Sequence, residues 1–361
     1  MGKVLVLANN DVGLYKFRKE LLQKLLCENE VYISLPYGNH VKPLQDMGCY
    51  FMETPVDRRG INPKTDFELL VHYRKLIRDL KPDLVITYTI KPNIYGGVAS
   101  RWAKVPYAVN ITGLGTAFQK DGVLKFLVTK MYRYACKKAK TVFFENVDNY
   151  KTLLNNRIVT ENQAVVLPGA GVNLEEYPYV RYPDSRKGYH FLFIGRVMQE
   201  KGIEELFETA KRICVERENV CFDIVGPYED DYKKVIEELE KEKIISYHGY
   251  QEDVKPFIAA SHCFVLPSWH EGMANTLLEC ASMGRPLITS DIHGCMEAVE
   301  EGKNGYLCPI KDSESLYHCI TEFLKLEDSE KEKWGCRSRK RMEEIFDKKT
   351  VVEKTMSFLG L

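Results

Sequence analysis

The chain has 361 residues, a length that suits two ordinary domains. Its 51 Lys and Arg balance 51 Asp and Glu, and this zero net charge excludes a general nucleic-acid binder with its strong basic excess. With 45% hydrophobic and 28% charged residues there is apolar material for sizeable cores, which excludes disorder. The 11 cysteines form no Cys-x-x-Cys pair, so a zinc ribbon or thioredoxin-type site has no support. With no secretory signal at MGKVLVLANN, they read as reduced thiols of a cytoplasmic protein. No uncharged stretch reaches the roughly 18 residues of a spanning helix.

In chain order, short apolar runs alternate with amphipathic stretches. Strands are predicted at Val4–Ala8, Val31–Leu35, Leu84–Tyr88, Tyr107–Ile111 and Thr141–Phe144, with helices at Asp66–Leu80 and Val123–Lys138 among them. A second series has strands at His190–Ile194, Val220–Val225, Ile244–Tyr247, Cys263–Leu266 and Pro286–Thr289. Its helices are predicted at Gly202–Glu216, Asp231–Lys241, Asn275–Ser282 and Ser313–Leu326. Such alternation with continuous apolar strands implies an α/β protein of two doubly wound, Rossmann-like parallel-sheet domains. The expected domains are 1–167 and 187–345. Between them, 168–186 reads as a linker rich in Pro and Gly. The stretch 346–361 holds a last amphipathic helix, Lys348–Leu359, free to pack on either domain. Ligands of open α/β sheets bind at the carboxyl ends of the strands, so facing sheets imply a site in a central cleft.

The neutral total hides an asymmetry. Residues 1–180 carry 25 basic and 17 acidic residues, a net of +8, which leaves −8 for the rest. Halves of opposite charge suggest different partners.

Two stretches carry chemistry. Pro267-Ser268-Trp269-His270-Glu271-Gly272-Met273-Ala274-Asn275 runs from a buried strand into a helix that continues to Glu279. A helix start offers free N–H groups and a positive dipole end, a natural anion site. If both were helical, Glu271 and Glu279 would lie about 12 Å apart along the axis. The second stretch, Gly195-Arg196 to Lys201-Gly202, brings two cations to another strand–helix turn, suited to a diphosphate. Gly195 permits close backbone approach there.

Gly195-Arg196, Glu200-Lys201-Gly202 and Glu271-x7-Glu279 together resemble the family-4 retaining glycosyltransferases of GT-B fold. The resemblance covers the whole chain. It implies an N-terminal acceptor domain and a C-terminal nucleotide-sugar domain. It also implies that Arg196 and Lys201 bind the donor diphosphate, that Glu279 binds the ribose, and that Glu271 sits by the transferred sugar. Ser268 and the backbone of Gly272, Met273, Ala274 and Asn275 would also face the donor, with Gly226, Gly249 and Tyr250 near the base. Tyr88 to Gly96 and Asn110 to Gly115 resemble a narrower group that extends undecaprenyl-diphosphate-linked sugars in capsule, O-antigen and glycan assembly. Lys91, Asn93, Thr112 and Gly113 would line the acceptor side. Where many members have a Gly-Gly pair after the first strand, this chain has only Gly13, and Thr112 stands in a loop where several have His.

The implied reaction transfers a hexose or N-acetylhexosamine from a UDP-sugar to a lipid-linked saccharide, with no further cofactor. No Asp-x-Asp metal motif occurs; Asp230-Asp231 reads as the acidic first turn of a helix. The eight histidines, His270 and His293 included, show no ligand spacing. Residues 120–140 hold seven basic residues and one acidic among apolar ones. They suggest a helix lying on the anionic inner face of the cell membrane. Two rivals stay open at this point: a GT-B nucleotide-sugar epimerase, and a silent UDP-sugar-binding protein.

Overall fold

The computed structural model describes residues 2–56, 62–115, 118 and 122–361. They form two compact units, Met1–Ala170 with Lys348–Leu361, and Gly171–Asp347.

The first unit is built on a parallel sheet of β1 (Gly2–Leu7), β2 (Asn29–Leu35), β3 (Tyr50–Glu53), β4 (Leu84–Tyr88), β5 (Tyr107–Ile111), β6 (Thr141–Phe144) and β7 (Ala164–Val166). Its order is β3-β2-β1-β4-β5-β6-β7. The central strands are apolar on both faces because helices cover both. Val4, Val6 and Ile86 pack with Leu14, Leu22, Val352 and Met356 on one side. Leu5, Leu7 and Val85 pack with Tyr73, Ile77 and Tyr132 on the other.

The second sheet is β8 (Tyr189–Ile194), β9 (Val220–Val225), β10 (Ile245–Tyr247), β11 (Cys263–Leu266), β12 (Leu287–Ser290) and β13 (Gly305–Cys308), also parallel, in the order β10-β9-β8-β11-β12-β13. Chain order therefore reverses between β1 and β4 in one sheet and between β8 and β11 in the other. The loops after these strands are where such folds bind ligands. Among the described residues no helix is long and apolar enough to cross a membrane.

Three strands escape the sequence patterns. β3 and β7 are sheet edges with partly exposed side chains. β13 opens on Gly305, where a Cβ would come within 2.2 Å of the Leu287 carbonyl. The expected linker is also corrected. Only its first residues stay with the first unit. From Gly171 the chain belongs to the second, where Val172 N–H donates to Phe346 O at 2.8 Å. Fully buried Arg285 holds Val180 O at 2.7 Å and Arg181 O at 3.1 Å, and Tyr182 Oη donates to His262 O. Pro and Gly break the helical period here, and the carbonyls of Val180 and Arg181 are taken by the Arg285 side chain. The helix Lys348–Leu359 packs on the first unit, burying Val351, Val352, Met356 and Leu359. Lys140 Nζ donates to Leu359 O at 2.7 Å and closes its end.

Candidate active site

In the second unit the loops after β8 and β11 are locked together. Gly202 has φ +69°, and a Cβ there would lie 2.0 Å from Pro267 O. Trp269 N–H donates to Glu200 O at 3.0 Å. This contact brings Lys201 into an ion pair with Glu271, both largely buried. Ser268, fully buried, donates through Oγ to the same carboxylate oxygen at 2.9 Å. Glu271 is thus fixed from two sides. It lies in the loop, not on a helix, because the helix begins only at Asn275. The expectation of two glutamates along one axis is therefore wrong for Glu271 and right only for Glu279.

Glu279 sits half-buried in the helix Asn275–Ser282 beside Tyr177. Burial, with Glu279 accepting the phenol's hydrogen bond, pushes the Tyr177 hydroxyl far above its ordinary value. No side chain caps this helix, and Asn275 Oδ1 is buried without a hydrogen-bond partner at its start. An uncapped helix start favours an anion. The loop before it is held by Ala274 N–H donating to Gly294 O at 2.8 Å, with Met273 and Ala274 buried. Gly294 has φ +95°, and a Cβ there would meet Gly272 O at 2.7 Å. The sequence pattern does not single out Gly294. His293 of the same loop pairs with Glu297, Nδ1 to Oε1 2.8 Å, and His270 Nε2 lies 3.3 Å from Glu200.

Arg196 Nη1 lies 3.6 Å from Glu229 Oε2. Each cation of the turn is thus held by a carboxylate from another loop. Asp230 is not the acidic first turn of a helix. The helix starts at Lys233, and Asp230 accepts from Gln199 N–H at 2.9 Å, bracing the Arg196–Lys201 turn. The ends of β8, β9 and β10 are stitched by glycines. Gly195 N–H donates to Val225 O and Gly226 N–H to Gly249 O, while Tyr247 Oη donates to Gly226 O. Gly226 has φ +147°, and its Cβ would stand 1.8 Å from Gly195 O. Gly226→Ala is expected to lower the denaturant midpoint, with about 1–3 kcal/mol from the backbone alone. An unchanged midpoint would show that the three turns are not rigidly joined. Gly249 turns with φ +63° and leaves Tyr250 exposed, 60% accessible.

In the first unit several expected contact residues serve as internal supports. Gly13 N–H is taken by the Asn10 side chain, which caps the helix Asp11–Leu26. Asn93 is 1% exposed; its amide donates to Asn110 O and accepts from Thr87 Oγ1, tying β4 to β5. Lys91 pairs with Asp66 at 2.7 Å, and Tyr95 donates to the same carboxylate. Thr112 and Gly113 remain half-buried in the turn after β5. Thr89, just past β4, has φ +72°, rare for a β-branched residue, and a buried hydroxyl without a partner. A π-helix, Pro92–Gly96, follows it. Such strain at a strand end marks functional loops. Sequence periodicity carries no signal for it. Arg18 and Glu145 also escape it: they form an ion pair beside a small cavity of about 10 Å³, lined too by Tyr88 and Asn110 at the carboxyl ends of β4 and β5.

Two doubly wound units, one with paired cations, an uncapped helix start and two glutamates at its switch point, define an α/β protein with its ligand-binding loops at the carboxyl ends of the strands. Residues 188–326 match the family described as "Glycosyl transferases group 1", and residues 3–146 match "Glycosyl transferase 4-like". The chain belongs to the family-4 glycosyltransferases. It is 26% identical over 340 residues, 89% of each chain, to the N,N'-diacetylbacillosaminyl-diphospho-undecaprenol alpha-1,3-N-acetylgalactosaminyltransferase of Campylobacter jejuni. It is 29% identical over 279 residues to the UDP-Gal:alpha-D-GlcNAc-diphosphoundecaprenol alpha-1,3-galactosyltransferase of Escherichia coli, covering 73% of this chain and 71% of the relative. Among solved structures, Anabaena Alr3699/HepE in complex with UDP and glucose superposes with a TM-score of 0.82 over all of both chains at 16% identity. The fold is GT-B.

Proposed function

We propose that this glycosyltransferase moves a hexose or N-acetylhexosamine from a UDP-sugar to a saccharide carried on undecaprenyl diphosphate, with retention at the anomeric carbon. The observation that carries this reading is the Lys201–Glu271 pair beside Arg196 and the uncapped start of the helix Asn275–Ser282. The relatives' named acceptors support the lipid carrier.

Arg196 and Lys201 take the diphosphate, and the N–H groups of Met273 and Asn275 add to the positive field, while that of Ala274, expected to face the donor, is held by Gly294 O. Glu279 takes the ribose hydroxyls, Gly249 and Tyr250 border the base, and Glu271 faces the sugar. As the bond from the anomeric carbon to the phosphate oxygen breaks, that oxygen gains negative charge, which the two cations stabilise. It accepts the proton of the incoming hydroxyl, whose oxygen bonds the same face of the carbon. Glu271 needs no nucleophilic role in this step. It holds Lys201 in place until the diphosphate competes for the ammonium.

A panel of UDP-sugars with membrane extract and mass analysis of the lipid fraction tests this. The expected product is the lipid-linked acceptor heavier by one hexose or N-acetylhexosamine. Epimerised donor without any lipid product would sink the reading.

The lipid acceptor implies work at a membrane surface. Helix Val123–Cys136 buries Tyr132, Ala135 and Cys136 in the core. Its first turns leave Val123, Phe126 and Leu127 exposed, at 84%, 65% and 52%. Lys130 lies over the Phe126 ring at 5.3 Å. Lys120 and Asp121 of the basic stretch lie outside the described residues. Arg133 donates to Asn156 O at 2.6 Å and Arg157 O at 3.2 Å, so its charge is used within the fold. We therefore place the membrane contact on the apolar first turns, with exposed Lys137 and Lys138 as a basic flank. The protein is expected to float with anionic liposomes and to be released by high salt. Val123→Ser, Phe126→Ser and Leu127→Ser combined should abolish flotation while sparing transfer to a water-soluble acceptor analogue. Equal flotation of both proteins would place the contact elsewhere.

A further inference from the structure

One edge of the second sheet breaks the rule of apolar parallel strands. Strand register pairs His190 of β8 with Cys221 of β9, and Asp223 of β9 with Ser246 of β10. Side chains two apart along a strand share a face, so His190, Cys221, Asp223 and Ser246 all project from one side. Their neighbours Phe191, Phe222 and Ile224 fill the core on the other side. His248, just past β10, reaches back to this polar face: its Nε2 lies 2.8 Å from Asp223 Oδ1. His190 Nδ1 lies 2.8 Å from Asp223 Oδ2. Ligand atoms of His190, Cys221 and Asp223 lie within 4.8 Å of one another.

We propose that His190, Cys221 and Asp223 form a binding site for a divalent transition-metal ion of the Zn²⁺ class, with His248 holding the second carboxylate oxygen of Asp223. One imidazole, a thiolate and a carboxylate make a mixed N, S and O set of three, which leaves the fourth tetrahedral position to a water molecule. Thiolate and imidazole disfavour Mg²⁺ and Ca²⁺, which prefer oxygen. Asp223 already holds His190 through Oδ2 and His248 through Oδ1, so the ion would replace the first hydrogen bond and keep the second. Cys221 would bind as the thiolate, releasing its proton to solvent. Outer partners are present: Cys221 Sγ lies 3.6 Å from Ser246 Oγ, and the His190 ring stacks on that of His262. The entry path is open, with the His190 and His248 side chains 43% and 29% exposed. Sequence spacing hides this set, because His190 of β8 lies far along the chain from Cys221 and Asp223 of β9. The ion would clamp β8 to β9 and fix Asp223, which holds His248, the residue before Gly249, whose carbonyl receives Gly226 N–H. It would therefore stiffen the turn assigned to the nucleotide base without touching the sugar.

Chelator-treated full-length protein is titrated with Zn²⁺ alone and, separately, with Co²⁺ alone as a spectroscopic probe. One ion per chain is expected, with a sulfur-to-cobalt charge-transfer band and a rise in the unfolding temperature. Cys221→Ser should remove the band. His190→Ala and Asp223→Asn should each weaken Zn²⁺ binding by at least the roughly 10–100-fold that loss of an outer partner costs. Unfolding of each variant without metal serves as the folding control; Cys221→Ser and Asp223→Asn preserve shape if His190→Ala does not fold. A band that survives Cys221→Ser, or that disappears with Cys27→Ser or Cys336→Ser at the two exposed cysteines, would overturn the assignment. So would the absence of any bound ion in the wild type.

Discussion

Replacing Lys201 with Ala is expected to cut turnover by about 10²–10³, the usual cost of removing one donor to a developing oxyanion. Arg196→Ala should act in the same direction. The reason lies in the paired turn. Lys201 is held by Glu271 and, through the Gly202 contact with Pro267, by the loop after β11. It is thus positioned before any diphosphate arrives, and little reorganisation opposes its action. Lys201→Ala also leaves Glu271 without its ammonium, with Ser268 still donating. A carboxylate left without its ammonium near the proposed phosphate position would then repel the donor phosphates. The double variant Lys201→Ala with Glu271→Gln should therefore bind UDP better than Lys201→Ala alone, although it does not recover turnover. Steady-state rates at saturating and subsaturating donor, with calorimetry of UDP, check both statements. Wild-type rates in Lys201→Ala and Arg196→Ala would remove the diphosphate assignment.

The second large effect is on stability. Arg18 and Glu145 form an ion pair in the first unit, each side chain only 12% exposed. The Arg18 guanidinium also lies over the Tyr88 ring, 5.2 Å from its centre. Burial pushes the Glu145 carboxyl above its ordinary value of 4.5, and Arg18 opposes that rise. Arg18→Ala is expected to cost about 3–5 kcal/mol at neutral pH, because it strands a buried carboxylate. The sign of the pH dependence follows. A carboxyl whose folded pKa is raised favours folding in its protonated form, and this contribution is lost as pH rises through the folded pKa. Removing Arg18 raises that pKa further. The deficit of the variant should therefore be largest at neutral pH and shrink as pH falls through the raised folded pKa into the acid range, where Glu145 takes a proton. Denaturant melts of both proteins across this range decide it. A deficit independent of pH would mean that packing against Tyr88, not charge, is what Arg18 contributes. The double variant Arg18→Met with Glu145→Gln should recover most of the loss.

Much of this protein is legible along the chain. The apolar runs around Val4, Val31, Leu84, Phe191 and Phe264 mark strands buried on both faces, and that property resides in each run by itself. The motifs Gly195-Arg196 and Lys201-Gly202 are equally local, since a strand-to-helix turn with two cations needs no distant partner to be recognised. Glu279 falls on the helix that its spacing implies. Other features exist only once segments meet. Edge strands β3 and β7 face solvent in part and are only four and three residues long, too short for their apolar runs to stand out. Glu271 stands outside the helix because Gly294 and Gly202, from other loops, set the course of its backbone through Glu271 O, Gly272 O and Pro267 O. Asn93 and Lys91, which read as contact residues, are held inside by Thr87, Asn110 and Asp66. Arg18 with Glu145, and His190 with Cys221, Asp223 and His248, are pairings across long stretches of sequence. Periodicity reports which face of an element is buried; only the packing of elements decides which charged groups share that burial.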